Sequence, residues 1–229
     1  MTDGKTALII GASRGLGLGL VREFRGRGWS VTATVRDPAG AGDLTALAGD
    51  TLRVEPLDVT DLEAVQALGL RLEPRSYDLL FLNAGISGPR DLIAADPQEI
   101  AQTFLTNASG PARAAHVLSK LVKPQTGVVA FMSSLMGSIA DNQSGGSDTY
   151  RASKAAMNSY ARSFHVSKAA PEGITTLSLH PGWVKTDMGG SGAPLEVAES
   201  VRGLADVCEN AGGAGDHQFV QYDGRTLPW

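Results

Sequence analysis

Short apolar runs rich in Val, Ile and Leu alternate with longer stretches of helical period along the whole chain. The apolar runs are TALIIG (6–11), SVTATV (30–35), TLRVEPLD (51–58), YDLLFLNAG (77–85), GVVAFMSS (127–134), GITTLSLHPG (173–182) and HQFVQYDG (217–224). Between them the pattern predicts helices at 17–28, 41–49, 61–73, 97–122, 149–169 and 194–209. The runs are nearly continuous rather than alternating, as expected of strands covered by helices on both faces. Regular strand–helix repetition with right-handed crossovers predicts an α/β, doubly wound parallel sheet. No internal repeat, low-complexity tract or long linker divides residues 1–229, so they read as one domain. The Gly/Ser-rich stretches at 142–147 and 189–193 read as loops near a site.

Composition narrows the function classes. The 229 residues are 42% hydrophobic and 19% charged, which is globular composition. A net charge of −4 provides no electrostatic footprint for nucleic acid or an anionic membrane. Cys208 is the single cysteine, which rules out an internal disulfide and a thiolate metal cluster. His116, His165, His180 and His217 lack metal-ligand spacing, so no metal site is expected. The N-terminal apolar run is too short for a signal peptide, and no segment is suited to span a bilayer. The expectation is a cytoplasmic protein.

GASRGLG (11–17) stands where the first strand hands over to the first helix. Gly11 permits a tight turn, while Gly15 and Gly17 let a pyrophosphate approach backbone N–H groups at a helix N-terminus. The pattern is G-x-x-x-G-x-G rather than G-x-G-x-x-G, and alone it is also compatible with a plain glycine-rich turn. Further along stand NAG (83–85), Ser134, YRASK (150–154) and HPGWVKTD (180–187). With these motifs in this order the chain resembles the short-chain dehydrogenase/reductase family from end to end. SSLMGSIADNQSGGSDTYRASKAAMNSY and YDGRTLPW are most similar to its C-factor branch. The resemblance implies a single-domain Rossmann-type fold with a parallel sheet of about seven strands.

The family interconverts a carbonyl compound and its alcohol with a nicotinamide cofactor. That reaction needs a proton donor beside the carbonyl oxygen. A free tyrosine ionises near pH ~10, too high for ready exchange at neutrality. Lys154, four positions after Tyr150, shares its helical face, and its charge, together with the oxidised nicotinamide, is expected to lower the phenol's pKa. Taken alone, the same spacing describes two ordinary side chains on one helix. Ser134, at the end of the fifth strand, can polarise the carbonyl. It stands 16 positions before Tyr150, whereas Ser138 stands 12 before it, nearer the family's usual interval. Pro111 lacks an N–H, so the carbonyl of Asn107 loses its helical partner. In the family such a carbonyl holds a water linked to the active-site lysine, although a kink without chemical role has the same sequence. The resemblance thus implies a catalytic set of Asn107, Ser134, Tyr150 and Lys154.

Two signs conflict over the cofactor. Asp37 lies near the place of an acid that would bond an NAD ribose. Arg36, first beyond the second strand, and Arg14 in the glycine turn could instead converge on a 2′-phosphate. NADP(H) is favoured over NAD(H). The resemblance implies cofactor contacts from Gly11, Ser13, Arg14, Gly15, Leu16, Gly17, Arg36, Asp58 and Val59. It adds Asn83, Ala84, Gly85, Tyr150, Lys154, Val184 and Thr186, although Leu82 departs from the usual Asn before the NAG motif.

The expected protein is therefore an NADP(H)-dependent oxidoreductase acting on a small carbonyl compound or alcohol, with Tyr150 as general acid/base. An NADP-binding sensor or signalling protein with incidental turnover is the alternative. Only GGSGAP separates Met188 from the helix expected near 194, which predicts an open site lined by Met136, Trp183 and Met188. The resemblance also implies a homodimer or homotetramer paired through the long helices after strands four and five.

Overall fold

In the computed structural model, which describes residues 4–47 and 49–229, strand β1 (Thr6–Ile10) shows why the apolar runs do not alternate. Ala7 and Ile9 enter one apolar layer, while Leu8 and Ile10 enter a second layer on the other face. A side chain of this size contributes about 1.5–3 kcal/mol when fully buried, so a strand committed to both layers tolerates few polar positions. The other strands are β2 (Ser30–Val35), β3 (Leu52–Pro56), β4 (Leu79–Leu82), β5 (Val128–Met132), β6 (Thr175–His180) and β7 (His217–Gln221). They form one parallel seven-stranded sheet in the order β3-β2-β1-β4-β5-β6-β7, the doubly wound fold expected from the pattern.

Helices α1 (Gly15–Gly26), α2 (Gly42–Thr45) and α7 (Val197–Ala211) cover one face, contributing Phe24, Leu44 and Leu204. Helices α3 (Leu62–Leu72), α5 (Gly110–Leu118) and α6 (Asp148–Phe164) cover the other through Leu68, Leu118 and Phe164. The chain reverses its winding between β1 and β4, which lie side by side with Ile10 opposite Leu82. The loops after these two strands therefore open a crevice at the carboxyl edge of the sheet, the place where such folds take ligands.

Several boundaries differ from the sequence expectation. The helix expected over 97–122 is interrupted: α4 (Pro97–Phe104) passes into a π turn at Leu105–Ser109, then α5, then a 3₁₀ turn at Ser119–Leu121. Pro111 cannot donate to the regular ladder, and the Gly110 N–H reaches back five residues to the Leu105 carbonyl. A second π turn, His165–Ala169, ends α6 two residues before Pro171. Helix α1 begins at Gly15, two residues earlier than expected, so the glycine turn runs directly into it. The helix expected over 41–49 shrinks to α2, with residue 48 outside the described residues. Beyond β7 the chain turns at Tyr222–Gly224 and comes back along the strand, where the Leu227 N–H bonds the Phe219 carbonyl at 2.8 Å.

Candidate active site

The glycine turn is held in place from both neighbouring strands. The Gly11 N–H donates to Thr34 Oγ1 at 3.1 Å, and the Ala12 N–H to the Thr34 carbonyl at 2.8 Å. From β4, Asn83 Nδ2 donates to the Gly11 carbonyl at 2.6 Å. Gly11 has φ +87°, and a Cβ there would lie 2.9 Å from Ala84 Cα. At Gly17 a Cβ would come within 2.1 Å of the Gly11 carbonyl oxygen. Any side chain at either position would force the turn and the 83–85 segment apart. Helix α1 has no side-chain N-cap, and no acidic residue stands in its first turn. Its terminal N–H groups therefore face the crevice as a ready anion site, which fits the pyrophosphate of a dinucleotide. Ser13 and Arg14 are exposed there, with Gly15 and Leu16 half-buried. Thr34 is a working part of this cradle that sequence reasoning missed, because an inward-facing strand threonine carries no motif.

Three elements bring Asn107, Ser134, Tyr150 and Lys154 together at the carboxyl edge of β4 and β5. Lys154 is buried on α6 and donates from Nζ to the Met132 carbonyl at 2.7 Å. Its Nζ also lies 5.7 Å from the centre of the Tyr150 ring. Burial pushes this ammonium down to about 8. Tyr150 is only partly exposed, and burial pushes its phenol up, opposed by the neighbouring Ser134 hydroxyl. The depression expected from Lys154 together with an oxidised nicotinamide belongs to the loaded site; in the protein by itself burial is the leading influence on the phenol. Desolvation outweighs the local help, and the lysine's proton is directed to a main-chain oxygen.

Ser134 stands just past β5 with extended backbone, φ −155° and ψ 147°. Its Oγ accepts the Met136 N–H at 3.1 Å, which leaves the hydroxyl proton free to donate. Ser138 is engaged elsewhere: Oγ accepts the Asp141 N–H at 3.0 Å and donates to the Trp229 main-chain oxygen at 3.3 Å. Asn107, fully buried in the first π turn, clamps the segment after β4 with both ends of its amide. Nδ2 donates to the Ile86 carbonyl at 2.8 Å and to Ser153 Oγ at 3.0 Å, and Oδ1 accepts the Ile86 N–H at 2.7 Å. A Cβ on Gly85 would lie 3.3 Å from Asn107 Oδ1 and 3.5 Å from Lys154 Nζ, so the NAG segment borders both residues.

The remaining positions line the crevice unevenly. Arg36 is exposed immediately beyond β2, and the neighbouring Asp37 is held in a local turn by the Ala39 N–H at 2.9 Å. Arg14 pairs with Asp187 at 3.0 Å across the mouth, rather than lying free beside Arg36. Asp58 accepts both the N–H and the hydroxyl of Thr60, at 2.9 and 2.7 Å, and Val59 beside it is buried. Val184 is buried and bridges Leu195, while Thr186 Cγ2 lies 3.5 Å from the Cβ position of Gly15. Thr186 therefore faces the glycine turn from across the crevice. Trp183 and Met188 are exposed and Met136 is half-buried. Among the described residues no three His, Cys, Asp or Glu side chains gather to hold a metal ion, and no helix is long and apolar enough to cross a membrane.

Comparison with known proteins agrees with this arrangement. The short chain dehydrogenase family model matches residues 5–194. The C-signal protein of Myxococcus xanthus is 42% identical over 154 residues, covering 66% of this chain and 92% of its own. A short-chain dehydrogenase/reductase from Burkholderia multivorans, solved with bound NADP, is 41% identical with a TM-score of 0.94, covering 99% of this chain and 100% of its own. A carbonyl reductase from Pseudomonas aeruginosa PAO1 in complex with NADP is 44% identical with a TM-score of 0.91 and the same coverage.

Proposed function

We propose, for a chain that belongs to the short-chain dehydrogenase/reductase family, that it is an NADP(H)-dependent reductase of small carbonyl compounds. The observation that carries this reading is the meeting of Tyr150, Ser134 and Lys154 at the mouth of a dinucleotide cradle. The solved relatives that hold NADP support the cofactor. So does Arg36, exposed beyond β2 and able to meet a 2′-phosphate, while Asp37 is occupied by its own turn.

When bound, a reduced nicotinamide supplies the hydride. Every other step rests on this chain's own groups. The N–H groups of α1, with Gly11, Ser13, Arg14, Gly15, Leu16 and Gly17 around them, would hold the pyrophosphate. Asp58 and Val59 would meet the adenine end, and Asn83, Ala84 and Gly85 the middle. Val184 and Thr186 would hold the nicotinamide end. Arg14 would exchange the exposed Asp187 carboxylate for phosphate, a change that costs little because an exposed ion pair contributes only about 0–1 kcal/mol.

The Ser134 hydroxyl donates to the substrate carbonyl oxygen, which makes the carbon a better hydride acceptor. Tyr150 then passes its phenolic proton to that oxygen. Burial keeps the phenol protonated, which suits reduction, where the tyrosine must begin as an acid. Lys154 holds positive charge beside the resulting phenolate, and Asn107 keeps the 85–86 segment at the right height against α6.

Exposed Tyr160 and Val166 on the α6 side offer apolar surface for pairing two copies, measurable as molecular mass in solution. A signalling role with incidental turnover draws on the likeness to C-signal, but a binding module has no need of a phenol beside a buried lysine. A panel of ketones and aldehydes assayed with NADPH and NADH, following absorbance of the reduced cofactor, tests the proposal. Cofactor oxidation that Tyr150→Phe eliminates supports it. Tight NADPH binding with no turnover on any carbonyl would leave the signalling reading.

A further inference from the structure

We infer that Trp229 is a positioning residue for the carbonyl substrate, acting through the segment that joins β5 to α6. The inference rests on the oxidoreductase reading above. After the turn at Tyr222–Gly224 the chain returns along β7, and the Trp229 ring lies on two aromatic neighbours. Its centroid is 4.8 Å from that of His217 and 5.2 Å from that of Phe219. The stack fixes the main-chain oxygen of Trp229, which accepts the Ala140 N–H at 3.0 Å and the Ser138 hydroxyl at 3.3 Å. Ser138 in turn caps the Asp141 N–H at 3.0 Å. One residue from the far end of the chain thus secures two consecutive amides, those of Ala140 and Asp141, directly or through Ser138.

The secured segment is the one that carries the substrate-facing groups. Ser134 and Met136 precede Ser138 by a few residues, and Ile139, largely exposed, lies between the two anchored positions. Gly137 rests against α6 so closely that a Cβ would lie 2.9 Å from the Lys154 carbonyl carbon. Displacing Ser138 therefore moves Gly137 along the Lys154 turn and shifts Ser134 relative to Tyr150. The far end of the same loop is tied independently, by Arg151 to the Gly146 carbonyl and the Ser144 hydroxyl, each at 3.0 Å. Between these two ties Trp229 is the element that sets the height of the pocket wall. The cofactor cradle is built on β1, β2 and β4, and among the described residues it has no bond to the Trp229 segment.

The test compares wild type, Trp229→Ala, Trp229→Phe, Ser138→Ala and the Trp229→Ala/Ser138→Ala double variant. Three quantities are measured: hydrogen exchange of the Ala140 and Asp141 amides, the NADPH dissociation constant, and KM and kcat on a carbonyl that the wild type reduces. In Trp229→Ala, exchange at the two amides should quicken by about tenfold or more, since the ring no longer holds their acceptor. Carbonyl KM should rise by roughly fivefold to tenfold, the loss expected for one to two hydrogen bonds. NADPH affinity should stay within about twofold, and Trp229→Phe, which keeps an aromatic stack, should restore most of the KM.

Ser138→Ala should act in the same direction. The double variant should be no worse than about the larger single effect, because both changes break one connection. Unchanged exchange at both amides in a folded Trp229→Ala protein would overturn the inference, as would equal losses of NADPH and carbonyl affinity. Ser138→Ala keeps the ring stack and decides the matter if Trp229→Ala does not fold. A wild type that reduces no carbonyl would sink the proposed activity alone, and exchange would still decide whether Trp229 secures the loop.

Discussion

The Lys154 ammonium donates to the Met132 carbonyl at 2.7 Å, so the last residue of β5 sets the height of the lysine beneath Tyr150. This buried cation, pushed down to about 8, loses its proton within an accessible range. Raising the pH through about 8 removes the charge that supports the phenolate. A plot of kcat/KM for NADPH against pH, which reports groups of the free enzyme, should therefore fall above about pH 8. A profile that stays flat to pH ~10, the range of an ordinary tyrosine, would show that Lys154 remains charged or does not contribute.

Tyr150→Phe should lower turnover by about a hundredfold to ten-thousandfold, the usual worth of a positioned general acid. NADPH affinity should stay within a few-fold, because the hydroxyl serves the chemical step. Steady-state rates and fluorescence titration on the same preparation separate the two effects. Near-normal turnover in the Phe variant would require another acid.

Ser134→Ala should reduce kcat by about a hundredfold, since it removes a donor aimed at the reacting oxygen. Ser138→Ala should instead act mainly on carbonyl KM, because its hydroxyl is bonded to Trp229 and Asp141. Side-by-side kinetics of the two variants would assign the serine roles. The opposite order would make Ser138 the donor.

Arg36→Ala should weaken NADPH binding by about tenfold or more, as expected for a charge-assisted bond to phosphate, and leave NADH nearly unchanged. The wild-type preference should shrink as salt is added. Titration of both cofactors at low and high salt checks this. Equal losses for the two cofactors would move the discriminating role to Asp37.

Acid should destabilise the fold through two half-buried histidines. Burial pushes His180 and His217 from 6.5 down to about 4 each. The unfolded chain therefore takes up protons before the folded one does. The stability that these neutral rings contribute is complete above about pH 6.5 and is lost as pH falls toward about 4. Urea midpoints should decline across that window, and His217→Gln should reduce the slope.

The sequence by itself determined the seven strands, the doubly wound class, the glycine turn and the Tyr150–Lys154 pair. These are local properties. Continuous apolar runs report burial on both faces, and a spacing of four places two side chains on one helical side whatever surrounds them. It also marked a kink near Asn107, since Pro111 lacks its donor wherever the chain folds, but not the π turn that interrupts the helix expected over 97–122. Tertiary structure alone decided what those residues touch. Gly11 meets Thr34 across 23 positions, Ser138 meets Trp229 across 91 and Arg14 meets Asp187 across 173. The Met132 carbonyl that receives Lys154 and the Trp229 oxygen that receives Ser138 are main-chain atoms, so no side-chain pattern could have marked them. The desolvation of Tyr150 is likewise tertiary: it exists only once the sheet edge, α6 and the segment after β5 have closed around the phenol.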